Sequence, residues 1–382
     1  MLIRKAFQYR LRLTKRQKKI LQMHLDECRW LYNELLGQLK LAYEELELSL
    51  SKYQQSMFLP LLKEERPSLD SVHSQVLQNV VDRLEKSFQA FFRRCKQGEV
   101  PGFPRFRGIH RYNSFCYPQS GFMLEGSMLK LSKIGKVRVN MHRPIEGEIK
   151  TCTLRKNASG DWDVSFSCEL DIQPSMPKNE AIGIDVGLQH FATLSNGEEI
   201  ANPRFFKKGE KELAKAQRKL SKLKKGTKER KKQGKKVAKI QEHIGNQRKD
   251  FCHKVSRKLV EQYQYICIED LNIKNMVEGS SFAKGILDAS WNQFRQCLTY
   301  KAEEAGRKLG LVNPAYTTQT CHQCGYREKK ELSDRRHFCL ACGYQTSRDH
   351  NAAQNILALG LDGLGVSPKK PTPKGVGVVT IR

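Results

Sequence analysis

The chain is 382 residues long, and its 68 Lys and Arg residues against 40 Asp and Glu residues give a formal net charge of +28. This length allows two or three domains with at least one sizeable core. The positive excess is too large for an ordinary metabolic enzyme and indicates a polyanionic partner. Because there is no run of about 18 apolar residues and no signal peptide, we expect nucleic acid rather than a membrane as partner, and a cytoplasmic, nucleoid-associated protein.

The N-terminal segment is predicted to form one strand and two helices. Residues 2–13 alternate apolar and polar side chains, which is the period of a strand with one cationic face. A helix is predicted to begin at Thr14, with Gln17 as its capping-box partner, and a second to run from about residue 71 to residue 95. The apolar stripe of the second helix is core. Its polar face, which is either solvated or able to read base edges, carries Ser74, Gln75, Gln78, Asn79 and Arg83.

A stiff, basic, aromatic turn at residues 101–107 ends this helical block and carries Arg105 and Arg107. Short strands and turns follow, and residues 162–170 alternate strictly between apolar and polar side chains. This pattern predicts a small β-barrel or sandwich, to which the N-terminal strand could add. Pro174 and Pro177 mark a linker, so a new domain is predicted to begin near Asn179.

Three acidic residues in the C-terminal half are candidate metal ligands. Asp185 and Glu269 each end an apolar strand, and Asp349 precedes a predicted helix. Burying a carboxylate in a strand is costly unless its charge is compensated. Each acid alone could be a structural hydrogen-bond acceptor or a surface group. Together they could hold two Mg²⁺ ions about 3.5–4 Å apart that cut nucleic acid. The neighbouring His350 is given no role.

The most basic part of the chain is residues 207–239, with 16 Lys and Arg residues against 3 Glu, a net +13. Two apolar stripes within residues 213–259 predict antiparallel helices joined by a basic tip. A solvated helical face is the alternative, but such cations repel one another unless phosphates neutralise them. We therefore expect nucleic-acid contacts from Lys222, Lys224, Lys225, Arg230, Lys231 and Lys232.

Two CxxC pairs separated by 14 residues predict a closed, structural Zn²⁺ site. A redox CxxC pair is the alternative, but it would not need two copies. The four ligands are Cys321, Cys324, Cys339 and Cys342, which leaves His322 and His337 spare. The other cysteines are scattered and predict free thiols in a reducing compartment. Around the ribbon we predict a helix at about 288–309, a short strand at Leu311 and Val312, and a mobile tail from about 361.

The order of these motifs resembles the transposon-encoded TnpB family, RuvC-type nucleases related to compact type V CRISPR effectors. GIDVG contains Asp185, ICIEDLN contains Glu269, and SRDHNAAQNI contains Asp349 after the four cysteines. The segments KAFQYRLRLTKRQ, LYNELL, FFRRC to GFPRFR, and TTQTCHQCG are also similar. The chain departs from the family at Ser347, where an acidic residue is usual. We expect this change to affect the surroundings of the metal ligands more than metal binding.

The resemblance implies an α+β multidomain fold with an RNase H-like RuvC domain. A wedge β-barrel would comprise residues 1–10 and 96–178, and a helical recognition domain residues 11–95. The nuclease domain would comprise residues 179–382, with a basic helical hairpin at about 205–262 and a zinc ribbon at about 317–346. In this family the residues around Tyr53, Ser74, Gln75 and Gln78 lie where the protein reads a short duplex motif beside the target, and a glutamine can contact adenine.

The resemblance also implies an RNA-guided, Mg²⁺-dependent DNA endonuclease. Its partners would be a guide RNA from the transposon end and target double-stranded DNA, with one protein copy in the ribonucleoprotein. Two alternatives stay open. One is a guide-RNA-dependent DNA-binding protein or regulator that does not cut, and the other is a transposase acting directly on transposon ends. Retention of all three acids disfavours the first, and the lack of a motif for covalent strand transfer disfavours the second.

Overall fold

The computed structural model describes residues 1–174, 176–331 and 334–366. The chain divides into two compact units, an N-terminal unit of Met1–Ile172 and a C-terminal unit that begins at Gln173. This boundary lies a few residues before the predicted one near Asn179. Within the described ranges, no helix is long and apolar enough to cross a membrane.

The N-terminal unit joins a barrel-like sheet to a group of helices. The strands are β1 (Leu2–Arg12), β2 (Ser114–Tyr117), β3 (Phe122–Glu125), β4 (Met128–Leu131), β5 (Gly135–Asn140), β6 (Glu148–Lys156) and β7 (Trp162–Asp171). The helices are α1 (Lys15–Leu46), α2 (Lys52–Met57), α3 (Leu59–Glu65) and α4 (Ser74–Lys96), with a 3₁₀ turn at Pro67–Ser71 before α4.

The seven strands form one nearly closed, barrel-like antiparallel sheet in the order β2-β6-β7-β1-β5-β4-β3. The predicted N-terminal strand is a central member, since β1 pairs with β7 over Leu2–Arg10 and with β5 at Arg10–Arg12. Every second residue of β7 from Trp162 to Leu170 is buried, as the alternation predicts. The apolar side chains of α1 and α4 belong to the same continuous core as those of the sheet.

Two helix starts in this unit show how local sequence sets an element boundary. Thr14 caps α1 as predicted, because its hydroxyl accepts from the Gln17 N–H at 3.2 Å and the Gln17 side chain accepts from the Thr14 N–H at 3.0 Å. The second predicted helix is α4, and it begins at Ser74 rather than at Ser71. Pro67 opens a 3₁₀ turn that ends at Ser71, so Val72 is extended and buried outside the helix.

The C-terminal unit contains a mixed sheet flanked by helices. Its strands are β8 (Asn179–Val186), β9 (His190–Leu194), β10 (Glu199–Ala201), β11 (Tyr263–Glu269), β12 (Lys308–Val312), β13 (Arg336–Phe338) and β14 (Gln345–Ser347). Its helices are α5 (Phe205–Ser221), α6 (Lys228–Gln262), α7 (Ile273–Val277), α8 (Ala283–Ala289), α9 (Trp291–Glu304) and α10 (Arg348–Gly363).

The main sheet of this unit has the order β10-β9-β8-β11-β12. Strands β8, β11 and β12 are parallel, and β9 and β10 are antiparallel additions joined by a turn at Gly197. The predicted helix at about 288–309 is present as α9 over Trp291–Glu304, and both its ends differ from the prediction. Ser290 has a φ of 60° and separates α8 from α9, and Leu309 lies in β12, paired with Ile266.

The end of the described chain also differs from the expectation. The mobile tail was predicted from about residue 361, yet α10 continues to Gly363 and Leu361 is buried. Leu361 belongs to an apolar cluster with Cys267, Val312 and Ile356, which explains why the helix extends this far. Residues 367–382 of the predicted tail lie outside the described residues.

Candidate active site

Two of the candidate acids lie at equivalent ends of neighbouring parallel strands. Ile184 of β8 pairs with Ile268 of β11, so the next residue of each strand is Asp185 and Glu269 respectively. Adjacent strands are about 4.8 Å apart, and residues in register point to the same face. Both acids are only 8% exposed. The strand register therefore brings these two carboxylates together at the carboxyl end of the parallel strands.

The third acid is brought to the sheet by close packing of α10. A Cβ placed on Gly183 would lie 2.1 Å from the carbonyl oxygen of Ala353, and one placed on Gly360 would lie 2.4 Å from Cys267 Sγ. Glycine at both points lets the helix backbone approach β8 and β11 more closely than any side chain would allow. Asp349 lies in the first turn of α10 with its side chain 22% exposed.

The start of α10 is fixed by hydrogen bonds on both sides of Asp349. Ser347 is the N-cap, and its hydroxyl accepts from the His350 N–H at 3.1 Å. An aspartate could cap in the same way, so serine supplies an N-cap at the position where the resemblance implies an acid. His350 contacts the carbonyl oxygen of Ser195 at 3.1 Å and the hydroxyl of Thr346 at 2.9 Å, so it anchors α10 to the end of β9.

The acids influence one another electrostatically. Burial raises the pKa of the Asp185 carboxyl well above its usual range, the charges of Glu269 and Asp349 raise it further, and Arg348 lowers it. Burial also raises the pKa of Glu269, which a hydrogen bond from Thr317 opposes. Like charges held together at low exposure are costly unless a cation compensates them. This donor set of carboxylate oxygens suits Mg²⁺.

The three acids do not gather as closely as the ribbon cysteines do. Among the described residues, the four ribbon cysteines are the one group of His, Cys, Asp or Glu whose ligand atoms all lie within 4.8 Å of one another.

Two residues near the acids were not selected from the sequence. The Thr317 hydroxyl donates to Glu269 Oε1 at 2.8 Å, and Arg348 Nε lies 3.3 Å from Asp349 Oδ1. Thr317 lies in the segment TTQTC just before the first knuckle, a segment that looked similar to the family's pattern but suggested no role. Only the fold shows that this threonine reaches the end of β11.

The four predicted zinc ligands converge in two matching knuckles. Cys321 Sγ lies 3.8 Å from Cys342 Sγ, and Cys324 Sγ lies 3.5 Å from Cys339 Sγ. A tetrahedral Zn²⁺ with Zn–S bonds of about 2.3 Å requires sulfurs about 3.8 Å apart, so the cluster fits the ion.

Backbone geometry supports the same fit. Gly325 N donates to Cys321 O at 2.9 Å and Gly343 N donates to Cys339 O at 2.8 Å, and both glycines have positive φ. Burial raises the pKa of Cys339, whereas hydrogen bonds from the Cys342 and Ala341 backbone and from the Cys324 and Cys342 side chains together lower it to about 7. Hydrogen bonds among the same cysteines raise the pKa of Cys342 to about 12.

The basic tip forms as predicted, with one exception among its candidate contacts. Helices α5 and α6 form a hairpin whose apolar interface includes Leu213 and Val237. Lys222, Lys224, Lys225, Lys231 and Lys232 are exposed. Arg230 is half-buried, and its guanidinium donates to the carbonyl oxygens of Leu220 and Leu223 at 2.7 and 2.6 Å. Arg230 therefore closes the end of α5, as a cation near a helix C-terminus does.

The candidate base-reading residues of the N-terminal unit are unequally placed. Tyr53, Ser74 and Gln78 are exposed, whereas Gln75 is half-buried and its Oε1 accepts from the Ser120 N–H at 2.8 Å. That bond ties α4 to the turn before β3 and occupies the amide oxygen of Gln75. In the basic turn Arg105 is exposed, while Arg107 stacks over the Tyr32 ring at 5.3 Å.

Three family profiles match different parts of the chain. A profile described as "Probable transposase" (OrfB_IS605) matches residues 165–279. One described as "Cas12f1-like, TNB domain" matches residues 291–356, and one described as "Helix-turn-helix domain" matches residues 1–47. The structure has a strand and one long helix, β1 and α1, in that last range.

Two relatives match over almost the whole chain. The "Putative RNA-guided DNA endonuclease" of Streptomyces pristinaespiralis is 34% identical and covers 97% of this chain and 94% of its own. The "Putative RNA-guided DNA endonuclease InsQ" of Escherichia coli (strain K12) is 31% identical, with coverage of 93% and 92%. A solved Cas12f1-sgRNA-target DNA complex has a similar protein fold, with a TM-score of 0.59 at 14% identity over 90% of this chain and 83% of that chain. Similarity at this level along nearly the full length, together with the order of the motifs, shows that the chain belongs to the transposon-encoded TnpB family.

Proposed function

We propose that this protein is an RNA-guided DNA endonuclease that cuts with one Mg²⁺-dependent site formed by Asp185, Glu269 and Asp349. The observation that carries the proposal is the pair of buried carboxylates in register on β8 and β11, with the charge of Asp349 raising the pKa of Asp185. The names of the two full-length relatives support the same activity. Buried carboxylates that repel one another at the end of a sheet are typical of functional sites.

In this proposal the three acids hold the metal ions and Thr317 and Arg348 orient two of the acids. The chemistry that two bound Mg²⁺ ions supply is activation of a water molecule and stabilisation of the leaving 3′ oxygen. Asp185 is held by its strand and Asp349 by the first turn of α10, so both are rigidly placed. Glu269 would provide the third carboxylate ligand.

The remaining features receive roles consistent with this activity. A guide RNA from the transposon end would be bound along cationic surfaces such as the α5–α6 tip, and base pairing would select the DNA. Tyr53, Ser74 and Gln78 are available to read a short duplex motif beside the target. With one catalytic centre per protein copy, the two DNA strands would be cut in sequence, the displaced strand first. The four cysteines would hold one structural Zn²⁺.

The test begins with the RNA that copurifies with the protein. After that RNA is sequenced, the ribonucleoprotein is assembled and given a plasmid that carries the matching target beside a randomised flank. We expect cleavage in Mg²⁺ and none in EDTA. Asp185→Ala, Glu269→Ala and Asp349→Ala should each reduce the rate by at least about 100-fold, since even partners of metal ligands cost 10–100-fold when lost.

Asp250→Ala is the matched control, because Asp250 is an exposed acid on α6 whose only described ion pair is with Lys254. It should cut at the wild-type rate, and all variants should retain guide RNA and target binding. Full-rate cleavage by Asp185→Ala would contradict the assignment of the site. Target binding without any cleavage in Mg²⁺ would favour the guide-RNA-dependent regulator, and activity without RNA would favour the transposase.

A further inference from the structure

A buried hydroxyl connects the base of the zinc ribbon to a catalytic acid. Thr317 is 2% exposed, and its hydroxyl lies 2.8 Å from Glu269 Oε1 and 3.1 Å from the carbonyl oxygen of Pro314. A hydroxyl has one proton to donate, and an ionised carboxylate attracts it more strongly than a neutral carbonyl does. When Glu269 is ionised, as metal binding requires, the proton therefore points to Oε1.

The segment that carries Thr317 is clamped to α10 by two asparagines one turn apart. Asn355 Nδ2 donates to the carbonyl oxygens of Thr317 and Thr320 at 2.8 and 2.7 Å. Asn351 Nδ2 donates to the carbonyl oxygen of Thr320 at 2.8 Å, and its Oδ1 accepts from the His322 N–H at 2.9 Å. Asn351 is fully buried and Asn355 is 8% exposed.

These bonds enclose a zinc ligand. Cys321 lies between Thr320 and His322, so the clamp holds the backbone on both sides of the first knuckle cysteine. Asp349 lies in the first turn of the same helix, six residues before Asn355. The ribbon base, the start of α10 and the end of β11 are thus linked through side chains that are almost completely shielded from water.

We propose that Thr317 is a positioning residue for Glu269, and that the zinc ribbon, clamped to α10 by Asn351 and Asn355, keeps the Thr317 hydroxyl in place. This inference rests on the proposed role of Glu269 as a metal ligand. Glutamate has one more rotatable bond than aspartate, so fixing it costs more side-chain entropy. A donor that holds Oε1 restricts the carboxylate before an ion arrives and leaves Oε2 for coordination. Through this link the ribbon sets the affinity of the cleavage site for its metal.

Thr317→Val tests the hydroxyl, because valine keeps the shape and removes the donor. We expect the Mg²⁺ concentration for half-maximal cleavage to rise by about 10–100-fold, the range for partners of metal ligands. Mn²⁺ binding to the protein without DNA, measured by calorimetry, should weaken by a similar factor. Thr317→Ser should restore both values, since it restores the donor. Unchanged metal dependence in Thr317→Val would overturn the proposal.

Asn355→Ala tests the clamp, and Gln354→Ala is its matched control. Gln354 also joins α10 to the ribbon, through a 2.8 Å hydrogen bond from the Tyr344 hydroxyl, and this described bond does not involve the Thr317 segment. Asn355→Ala should weaken Mn²⁺ binding but retain one zinc per chain, as measured by elemental analysis. Gln354→Ala should leave both Mn²⁺ binding and the zinc content unchanged. Equal effects of the two variants would show only a general loss of packing and would refute the link.

A double variant measures whether the two residues act through one route. If Asn355 acts by holding Thr317, then Asn355→Ala should add little to the loss in Mn²⁺ affinity already caused by Thr317→Val. If the losses in Mn²⁺ affinity caused by the two substitutions add fully, Asn355 does not act through Thr317. Glu269→Gln separates this inference from the proposed function. If Glu269→Gln cuts normally, the catalytic assignment of Glu269 itself is wrong. If Glu269→Gln is inactive but Thr317→Val behaves like the wild type, only the positioning role of Thr317 is wrong.

Discussion

At the scale of single residues, the candidate active site trades stability for metal binding. Asp185 lies in a strand whose neighbours are apolar, and its charge faces those of Glu269 and Asp349. Nothing in the packing of β8 requires an acid there, because Ile182 and Ile184 already fill the core. An ionised carboxylate in such a position lowers the stability of the metal-free protein.

Asp185→Asn should therefore stabilise the metal-free protein at neutral pH. The folded-state pKa of Asp185 is raised above the unfolded value of about 3.9, so the folded state binds more protons between those two pKa values. Stability then falls as pH rises through that window, and the full penalty is present above the folded pKa. We therefore expect the variant to be more stable than the wild type in the absence of metal, because asparagine has no charge to bury.

Chemical denaturation in EDTA at about pH 8 and pH 5 would measure this gain, which should shrink at the lower pH as Asp185 takes up a proton. Mg²⁺ should raise the melting temperature of the wild type and not that of the variant, because a ligand stabilises only the form that binds it. A variant that is less stable than the wild type in EDTA at both pH values would show that the carboxylate is a structural acceptor.

At the scale of elements, the position of α10 depends on glycines where helix and sheet touch. The contact at Gly183 is with backbone atoms, since a Cβ there would also lie 2.8 Å from Leu357 N. A backbone atom cannot turn away as the end of a side chain can. Because Gly183 has no Cβ, α10 can lie this close to β8. The same contact influences the distance between Asp185 and Asp349.

Gly183→Ala should displace α10, lower stability by about 1–3 kcal/mol as overpacking does, and reduce cleavage by moving Asp349. Gly245→Ala is the control. A Cβ on Gly245 of α6 meets nothing within 4 Å, so alanine should raise stability by about 0.5–1 kcal/mol through its better helix propensity. Thermal unfolding and cleavage of the two variants would be compared. Wild-type stability in Gly183→Ala would mean that the helix is not held this closely.

At the scale of the whole molecule, the net charge of +28 is distributed unevenly. The α5–α6 tip gathers exposed lysines, while ion pairs elsewhere consume part of the remaining charge, as Arg66 does with the buried Glu27 at 2.6 Å. A local cationic surface binds phosphates by releasing counterions, so its contribution appears in the salt dependence of binding. Net charge alone would not reveal which basic residues are free to bind.

Lysines at the tip and Arg230 should respond differently to substitution. We consider a variant in which four lysines are changed together to Gln: Lys222, Lys224, Lys231 and Lys232. The negative slope of log affinity against log salt should become shallower by about 0.7–0.9 for each phosphate that these lysines neutralise in the wild type. Arg230→Gln should instead lower the melting temperature, because it removes donors from the last carbonyls of α5. Guide RNA titrations at several salt concentrations would measure the first effect. An unchanged slope in the lysine variant would place RNA binding elsewhere.

Most of the architecture could be predicted from local patterns. Four correctly predicted features each involve residues that are close in sequence. They are the alternation along residues 162–170, the Thr14 capping box, the two CxxC pairs and the stripes of the basic hairpin. Their physical causes act within a few residues, and the structure contains each of these elements. The helix predicted at about 288–309 is present as α9, but both its ends were misplaced, because an apolar pattern does not reveal the left-handed Ser290 or the pairing of Leu309 with Ile266.

The sequence by itself determined the acids, the cysteines, their order and the family they indicate. Only the tertiary structure decided that Asp185 and Glu269 are in register, that glycine contacts bring α10 to them, that Arg230 closes a helix, and that Thr317 reaches Glu269. All of these relations except the one of Arg230 join residues far apart in the chain. Because a hydrogen bond across 48 residues leaves no local periodicity, no pattern of neighbours could have predicted it.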